Sequence, residues 1–457
     1  GLKVIVPERS EHIGGRCVTR EFHPGFRDSP FCDELPPIPP EIFWRLGLAH
    51  HGAMFLPTSA KTELGIGARA LANDALIRAA AGIEAVSKPA WAFRLRRHAQ
   101  PMRPWPGDAW ATLSLNDLLD RGLLGEDESS LIRAEALCGR AADPALKGSA
   151  LHLIAPGLGG SGQVAGGLHR LSEALMSVAA VTGAEISCGL EVTDIRHRRR
   201  KVRGLRLADG SEIEARAIIS TLDLKRTFLS LFAWSGLPAE ISKSVAAFRM
   251  AGSTARLLLA LDRLPDAAKH AARGFFSQPI HLGFGADHLS RGYSAWRSGA
   301  LAETMPITLR FVSAVDPRLA PVDMACATAT VGGVPHRLFD GAWTHEKRDQ
   351  LRQREFASIE GVFPGFGQHV LACDLLVPGD IEEQLGVTDG DLWNPQHMGA
   401  SFDSPTRGVM SQIAVSEGNP YVGAGTWRNS SGQVADKDSA IRQFTDFMNG
   451  RTTNLTM

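Results

Sequence analysis

No stretch of this 457-residue chain reaches the roughly 18 consecutive apolar residues that a membrane-crossing helix needs. Charge of neither sign prevails: 49 acidic and 49 basic side chains leave no overall field for nucleic acid or an anionic lipid surface. The six cysteines, at 17, 32, 138, 188, 326 and 373, are never spaced as a CxxC pair or a metal-ligand set. They read as reduced, mostly buried thiols of a cytoplasmic protein, or of the mitochondrial matrix if the source is a eukaryote. The pair His50-His51 has no HxxE or ExxH partner, so no metal site is expected. The glycine-rich run 157–167 lacks the GK[ST] ending of a P-loop, and nowhere does a clear strand lead into GxGxxG. Peripheral membrane contact, self-association and a protein partner stay open.

What is there begins with residues 2–16, LKVIVPERSEHIGGR. Residues 3–7 are a short β-branched run of the kind that makes a fully buried strand of a parallel sheet. Glu8 follows at the carboxyl end, where open α/β sheets bind ligands. In a dinucleotide fold an acidic residue there accepts hydrogen bonds from both ribose hydroxyls of an adenosine. Gly14-Gly15 then lets a backbone approach a pyrophosphate closely, and Arg16 supplies a guanidinium for charge-assisted hydrogen bonds. Strand, acid and GGR together resemble the second strand and following loop of an FAD-binding Rossmann domain.

Other segments extend the resemblance over nearly the whole chain: FHPGFRDS (22–29), LHRLSEAL (168–175), GAEISCGLEVTDI (183–195), LADGSEIEARAIIST (207–221) and GAGT (423–426). With ERSEHIGGR (8–16) they make the chain similar to the phytoene dehydrogenase-like FAD oxidoreductases. It looks nearest to the branch of mitochondrial pyridine nucleotide-disulfide oxidoreductase domain proteins, with carotenoid desaturases and retinol saturase more distant. The resemblance implies FAD and an α/β fold, a Rossmann-like FAD-binding domain interleaved with an α+β substrate domain built on an antiparallel sheet. It implies cofactor holders at Glu8, Gly14, Gly15, Arg16, Val192 (whose backbone holds the adenine ring), Gly423 and Gly425. Family members open with a strand and GxGxxG at a helix N-terminus. This chain starts near where that helix should end, so a truncated sequence lacking the first strand and glycine loop is expected. Segment 22–29 is implied to lie beside the flavin ring, and His23 and His397 are the candidates for relaying a proton there. After GAGT, relatives continue with His-Pro-Gly-Gly-Gly-Val, whereas this chain has Trp427-Arg428-Asn429.

The cofactor domain is expected at 1–35, 156–223 and 391–457, a helical cap at 36–155, and the substrate domain at 224–390. Helical spacing in 64–83 and 113–138 suggests the cap. Trp91, Trp105 and Trp110 between them either line an apolar cavity or fill a core. Gly166-Gly167 reads as a tight turn before a helix over 168–181. Residues 185–207 read as strand, basic turn (RHRRRK, 196–201) and strand, with a third strand at 211–215 and a return to the parallel sheet at 217–220. The basic run is short and not interleaved with aromatics, so it reads as a charged hairpin loop and not a nucleic-acid contact. Strands at 254–260, 307–312, 326–331 and 369–375, with a helix over 345–359, make the substrate sheet, one face toward the flavin. A helix is expected over 435–447.

Two functions compete. In the first, an FAD-dependent oxidoreductase takes a hydride from a C–C or C–N bond of an apolar or amphipathic small molecule. In the second, the protein keeps the fold, has lost the chemistry, and acts as a regulatory or interaction protein. The absent GxGxxG and the altered segment after Gly425 favour the second; the joint presence of Glu8, GGR and EVTDI favours the first. An NAD-dependent dehydrogenase without flavin would need its own strand and GxGxxG.

Overall fold

A computed structural model of the chain describes residues 3–35, 38, 40–56, 113–121, 125–153, 162–198, 201–232, 239–247, 250–266, 274–392, 413–415, 427–428 and 434–435. The chain opens with β1 (Val4–Pro7), the hairpin β2 (Arg20–His23) and β3 (Phe26–Asp28), and helices α1 (Pro40–Leu46), α2 (Leu115–Arg121) and α3 (Glu126–Leu137). Helix α4 (His169–Val181) leads into β4 (Ala184–Ser187), β5 (Val192–Arg198), β6 (Lys201–Leu207), β7 (Glu212–Glu214), β8 (Ile218–Ser220) and helix α5 (Ala239–Ala247). Then come β9 (Thr254–Leu261), β10 (Ile280–Leu282), α6 (Ala286–Arg297), β11 (Ile307–Arg310) and β12 (Ala325–Gly332). Helix α7 (His345–Glu360), β13 (Val370–Leu376), α8 (Pro378–Leu385), β14 (Ile413–Val415), β15 (Trp427–Arg428) and β16 (Val434–Ala435) follow.

The largest sheet is antiparallel, in the order β10-β11-β12-β9-β13. Its two central strands, TARLLLAL and ACATATVG, are buried along their whole length, so both faces are covered. Strand periodicity sorts their side chains into two layers. Ala255, Leu257, Leu259, Leu261, Ile307, Leu309, Ala327, Ala329 and Val331 form an apolar face that packs with Leu351 and Ile359 of α7 and with Phe363 and Phe366. Each such leucine contributes about 1.5–3 kcal/mol by leaving water. The opposite face is polar: register sets His281 beside Thr308, Thr308 beside Thr330, and Thr330 beside Arg256 in one row across four strands. Arg310 and Thr328 form the next row. The stretch after β3 covers this face, with Phe26 packed against Ala260 and Cys326.

Two parallel pairings stand apart: β1 with β4, and β8 with β14. The expected fully buried first strand is not found. Val4 and Val6 are 45% and 42% exposed, and Ile219 of β8 is 56% exposed. Among the described residues each of these strands has a hydrogen-bonded neighbour on one side only. Antiparallel β5-β6-β7 forms a separate three-stranded sheet.

Several elements differ from the sequence reading. Residues 185–207 hold β4 and then a hairpin, not two strands. Of the basic run, Arg196, His197 and Arg198 belong to β5 and Lys201 to β6, so the hairpin turn is shorter than the run, and Arg196 pairs with Glu212 of β7. Residues 113–138 make two helices, since Gly125 is extended and caps the second. Strand β10 and helix α6 add to the elements expected from the sequence. Ala435, expected to begin a helix, pairs with Trp427 in a short antiparallel ladder. The readings at 64–83, Trp91, Trp105, Trp110 and most of 391–457 lie outside the described residues. Among the described residues no helix is long and apolar enough to cross a membrane.

Candidate cofactor site and the polar face of the sheet

Glu8 continues the β1–β4 pairing one step further: its N–H donates to the Ser187 carbonyl (2.9 Å), and its carbonyl accepts from the Leu190 N–H (2.8 Å). These bonds bring Glu8 and the start of β5, where Val192 stands, to the same carboxyl end of the parallel pair. Gly189 turns this corner at φ +71° and donates to the Ser10 carbonyl (3.1 Å). Glu8 Oε1 accepts the Ser10 N–H at 2.8 Å, which leaves Oε2 without a protein partner among the described residues.

Gly14 and Gly15 follow at φ +129° and +52°, the second opening a single 3-10 turn over Gly15–Cys17. A Cβ on Gly14 would stand 3.2 Å from Ser172 Oγ of α4, whereas one on Gly15 would meet nothing within 4 Å. The turn therefore leans on α4 and presents open backbone at Gly15. A left-handed φ there makes glycine the residue of choice. Arg16 donates through Nη1 to the Leu392 carbonyl, which anchors one edge of its guanidinium to protein. Burial, with Cys32 adding to it, pushes the neighbouring Cys17 thiol up to about 12.

The turn Gly166-Gly167 enters α4 as expected, at φ +85° and +109°. Gly167 is forced: a Cβ would fall 2.8 Å from Thr19 Oγ1. Thr19 Oγ1 shares a hydrogen bond with Ser29 Oγ (2.8 Å) and accepts from the His169 N–H (3.3 Å), tying the GGR loop to both α4 and the segment over the sheet.

The polar face of the sheet went unrecognised in the sequence. Arg256, 2% exposed, pairs with Asp33 (2.6 Å) and donates to the carbonyls of Ser29 (3.1 Å) and Pro30 (3.2 Å) and to Thr330. Arg310 pairs with Glu34 at 2.5 Å and lies 4.0 Å from Asp33. Burial alone would raise the Asp33 carboxyl, but Arg256 and Arg310 outweigh it and hold that group below the ordinary carboxylate range. Asp28 accepts from Thr328 and from the Ser29 N–H (2.6 Å), yet burial dominates and raises it to about 6. His281 bonds Thr308 Oγ1 at 3.0 Å, while its Nε2 is buried without a hydrogen-bond partner among the described residues. The visible signal was the repeat Thr254-x-Arg256, Thr308-x-Arg310, Thr328-x-Thr330: polar residues at period two on strands otherwise apolar.

His23 sits on β2 with its ring 5.6 Å from that of Phe26, and its imidazole makes no hydrogen bond among the described residues. His397, Gly423 and Gly425 lie outside the described residues. His51, one of the paired histidines, bonds Ser177 Oγ at 2.7 Å through Nδ1. All six cysteines are free thiols, but only Cys32 and Cys326 are fully buried and Cys188 is exposed.

Residues 114–367 match the model of the flavin containing amine oxidoreductases, more than half of the chain, and the protein belongs to that family. It is an FAD-dependent oxidoreductase. Among known proteins it is similar to pyridine nucleotide-disulfide oxidoreductase domain-containing protein 2 of Mus musculus, 25% identical over 466 residues that cover 86% of this chain and 80% of that one. It is also 25% identical over 287 residues to 4,4'-diaponeurosporene oxygenase of Staphylococcus haemolyticus, covering 61% of this chain and 54% of that protein. In fold it is similar to an oxidoreductase from Methanosarcina mazei, with a TM-score of 0.56 at 16% identity over 90% of this chain and 88% of the other. Putrescine oxidase in complex with putrescine gives a TM-score of 0.51 at 14% identity over 91% and 88%.

Proposed function

We propose that the protein dehydrogenates an apolar or amphipathic small molecule at a C–C or C–N bond. FAD, when bound, supplies the hydride acceptor. The observation that carries this reading is the meeting of Glu8 with the Gly189–Leu190 corner at the carboxyl end of the β1–β4 pair, followed along the chain by a glycine turn open at Gly15. In this reading Glu8 Oε2 takes ribose hydroxyls, the backbone at Val192 borders the adenine, and Gly15 admits the pyrophosphate. In this reading 1–35, 156–223 and 391–457 form a Rossmann-like cofactor domain. Residues 224–390 form the substrate domain, and 36–155 a cap. The substrate class is supported by relatives named for a carotenoid-type compound and by a structural neighbour that binds an amine.

The test is the absorption spectrum of the purified protein, identification of any released cofactor, and bleaching of the oxidised flavin band by amines or carotenoids without oxygen. A colourless protein that takes up no FAD would end this reading. One observation favours the second function, a flavoprotein relative that regulates or docks. Trp427–Arg428 pairs with Val434–Ala435 as a short ladder where relatives have glycines entering a helix. A bound flavin that no substrate reduces would support it.

A further inference from the structure

Three stretches far apart in sequence meet at the C-terminus of α8. Arg9 donates through Nη2 to the carbonyls of Glu383 (3.1 Å) and Gln384 (3.0 Å). Those carbonyls carry the partial negative charge of a helix end, which a guanidinium satisfies. Gly386 turns the chain there at φ +74°, and a Cβ on it would stand 3.4 Å from Nη2 of Arg9 and 3.5 Å from Nη2 of Arg226. Asp223 accepts from both the N–H (3.0 Å) and Oγ1 (2.9 Å) of Thr388. On the substrate side, Asp380 pairs with Arg348 of α7 (2.8 Å), and Glu382 pairs with His336 (2.7 Å). The segment 374–392 also takes Arg16 of that loop, which bonds the Leu392 carbonyl, and Arg20 of β2, which bonds Asp374 (2.7 Å) and Gln384 (2.9 Å).

We propose that Arg9 and Gly386 form the joint that fixes the cofactor loop 8–16 against the substrate sheet. Arg9 is then a positioning residue, acting on the cofactor through its neighbour Glu8. The backbone of Glu8 is held from one side by Ser187 and Leu190, and Arg9 holds the next residue from the other. This inference rests on Glu8 holding the cofactor. A loop restrained at both ends keeps a binding carboxylate within the narrow range of geometries that a ligand needs. Releasing one end widens that range and weakens binding without removing any group that touches FAD.

The experiment measures the FAD dissociation constant by flavin fluorescence and the visible circular dichroism of the bound flavin at saturation. The variants are R9A, R9K, G386A, R9A/G386A and, alongside, E8A. R9A, by removing the exposed bonds of Arg9, and G386A, through its left-handed φ, should each raise the dissociation constant severalfold, less than loss of a group that touches FAD, and change the dichroism. The double variant should do no more than the worse single one, since both break one joint, and R9K should recover part of the loss. Unchanged affinity and dichroism in R9A and G386A, even with lower melting temperatures, would overturn the joint, as would effects that multiply in the double variant. E8A separates the two readings. Normal affinity in E8A removes Glu8 from the cofactor site, whereas a loss in E8A with none in R9A overturns the joint alone.

Discussion

Glu355 lies midway along the buried stripe of α7, between Leu351 and Ile359, one helical turn from each. It is 1% exposed, and its Oε2 has no hydrogen-bond partner among the described residues. Burial, only partly offset by Arg354, raises its carboxyl from 4.5 to about 8. The folded protein therefore holds this proton at neutral pH while the unfolded chain has lost it. A raised carboxyl makes the native state the one that binds more protons, so stability is fullest below about pH 4.5 and falls until about pH 8. At about 1.4 kcal/mol per pH unit, the loss between about pH 5 and about pH 7 is about 2–3 kcal/mol. Glu355→Gln has the same shape and no proton to lose. Urea midpoints of both proteins at about pH 5, 6, 7 and 8 should diverge, the wild type falling steadily relative to the variant. Parallel pH profiles would refute the reasoning and mean that the carboxylate finds water or a counter-charge in the native state.

Four further outcomes are expected. Glu8→Ala should lower FAD affinity at least tenfold without unfolding the protein, because a charged hydrogen bond to a ribose hydroxyl contributes about 1.5–3 kcal/mol; flavin titration against thermal melting separates the two effects. Arg256→Met should cost about 3–5 kcal/mol in denaturant unfolding by leaving Asp33 a buried charge with its principal partner gone, and adding Asp33→Asn should restore part of it. Gly167→Ala should cost about 1–3 kcal/mol through its positive φ and its clash with Thr19, and Thr19→Ser should relieve the share due to the lost methyl. Replacing Trp427 and Arg428 by glycines should leave FAD occupancy equal and make the flavin reduction potential more negative; flavin gained over an empty wild type would favour the regulatory reading instead.

The fold was legible where local chemistry decided it. A β-branched run, a DG turn and the leucine-rich stretch 254–260 placed β1, the β6–β7 turn and β9 to within a residue or two, although β1 lacks the burial its pattern suggested. Around the candidate site the local backbone was legible, Glu8 following β1 and Gly14-Gly15 turning the chain, whereas the bond from Arg16 to Leu392, 376 residues away, is one that no local pattern encodes. The charged layer was missed for a related reason. Asp28, Asp33 and Glu34 look like ordinary loop acids until the sheet brings Arg256 and Arg310 beneath them. Strand β10 is three residues long, too short for a period to show, and helix α6 was overlooked although Leu289, Tyr293 and Trp296 repeat at helical spacing, because it opens on a glycine and carries Gly292 within.

The two-faced sheet also constrains the order in which the chain can assemble. Its apolar face and α7 come from one continuous stretch, 254–376, so that layer can collapse by itself. The opposite face cannot, because the partners of its two guanidiniums arrive from 226 and 276 residues upstream. Until segment 26–35 docks, an already formed sheet presents uncompensated positive charge on the side it must bury, and closing so long a loop is slow. Assembly of that face therefore depends on long-range closure, whereas the apolar face needs only its own stretch of chain.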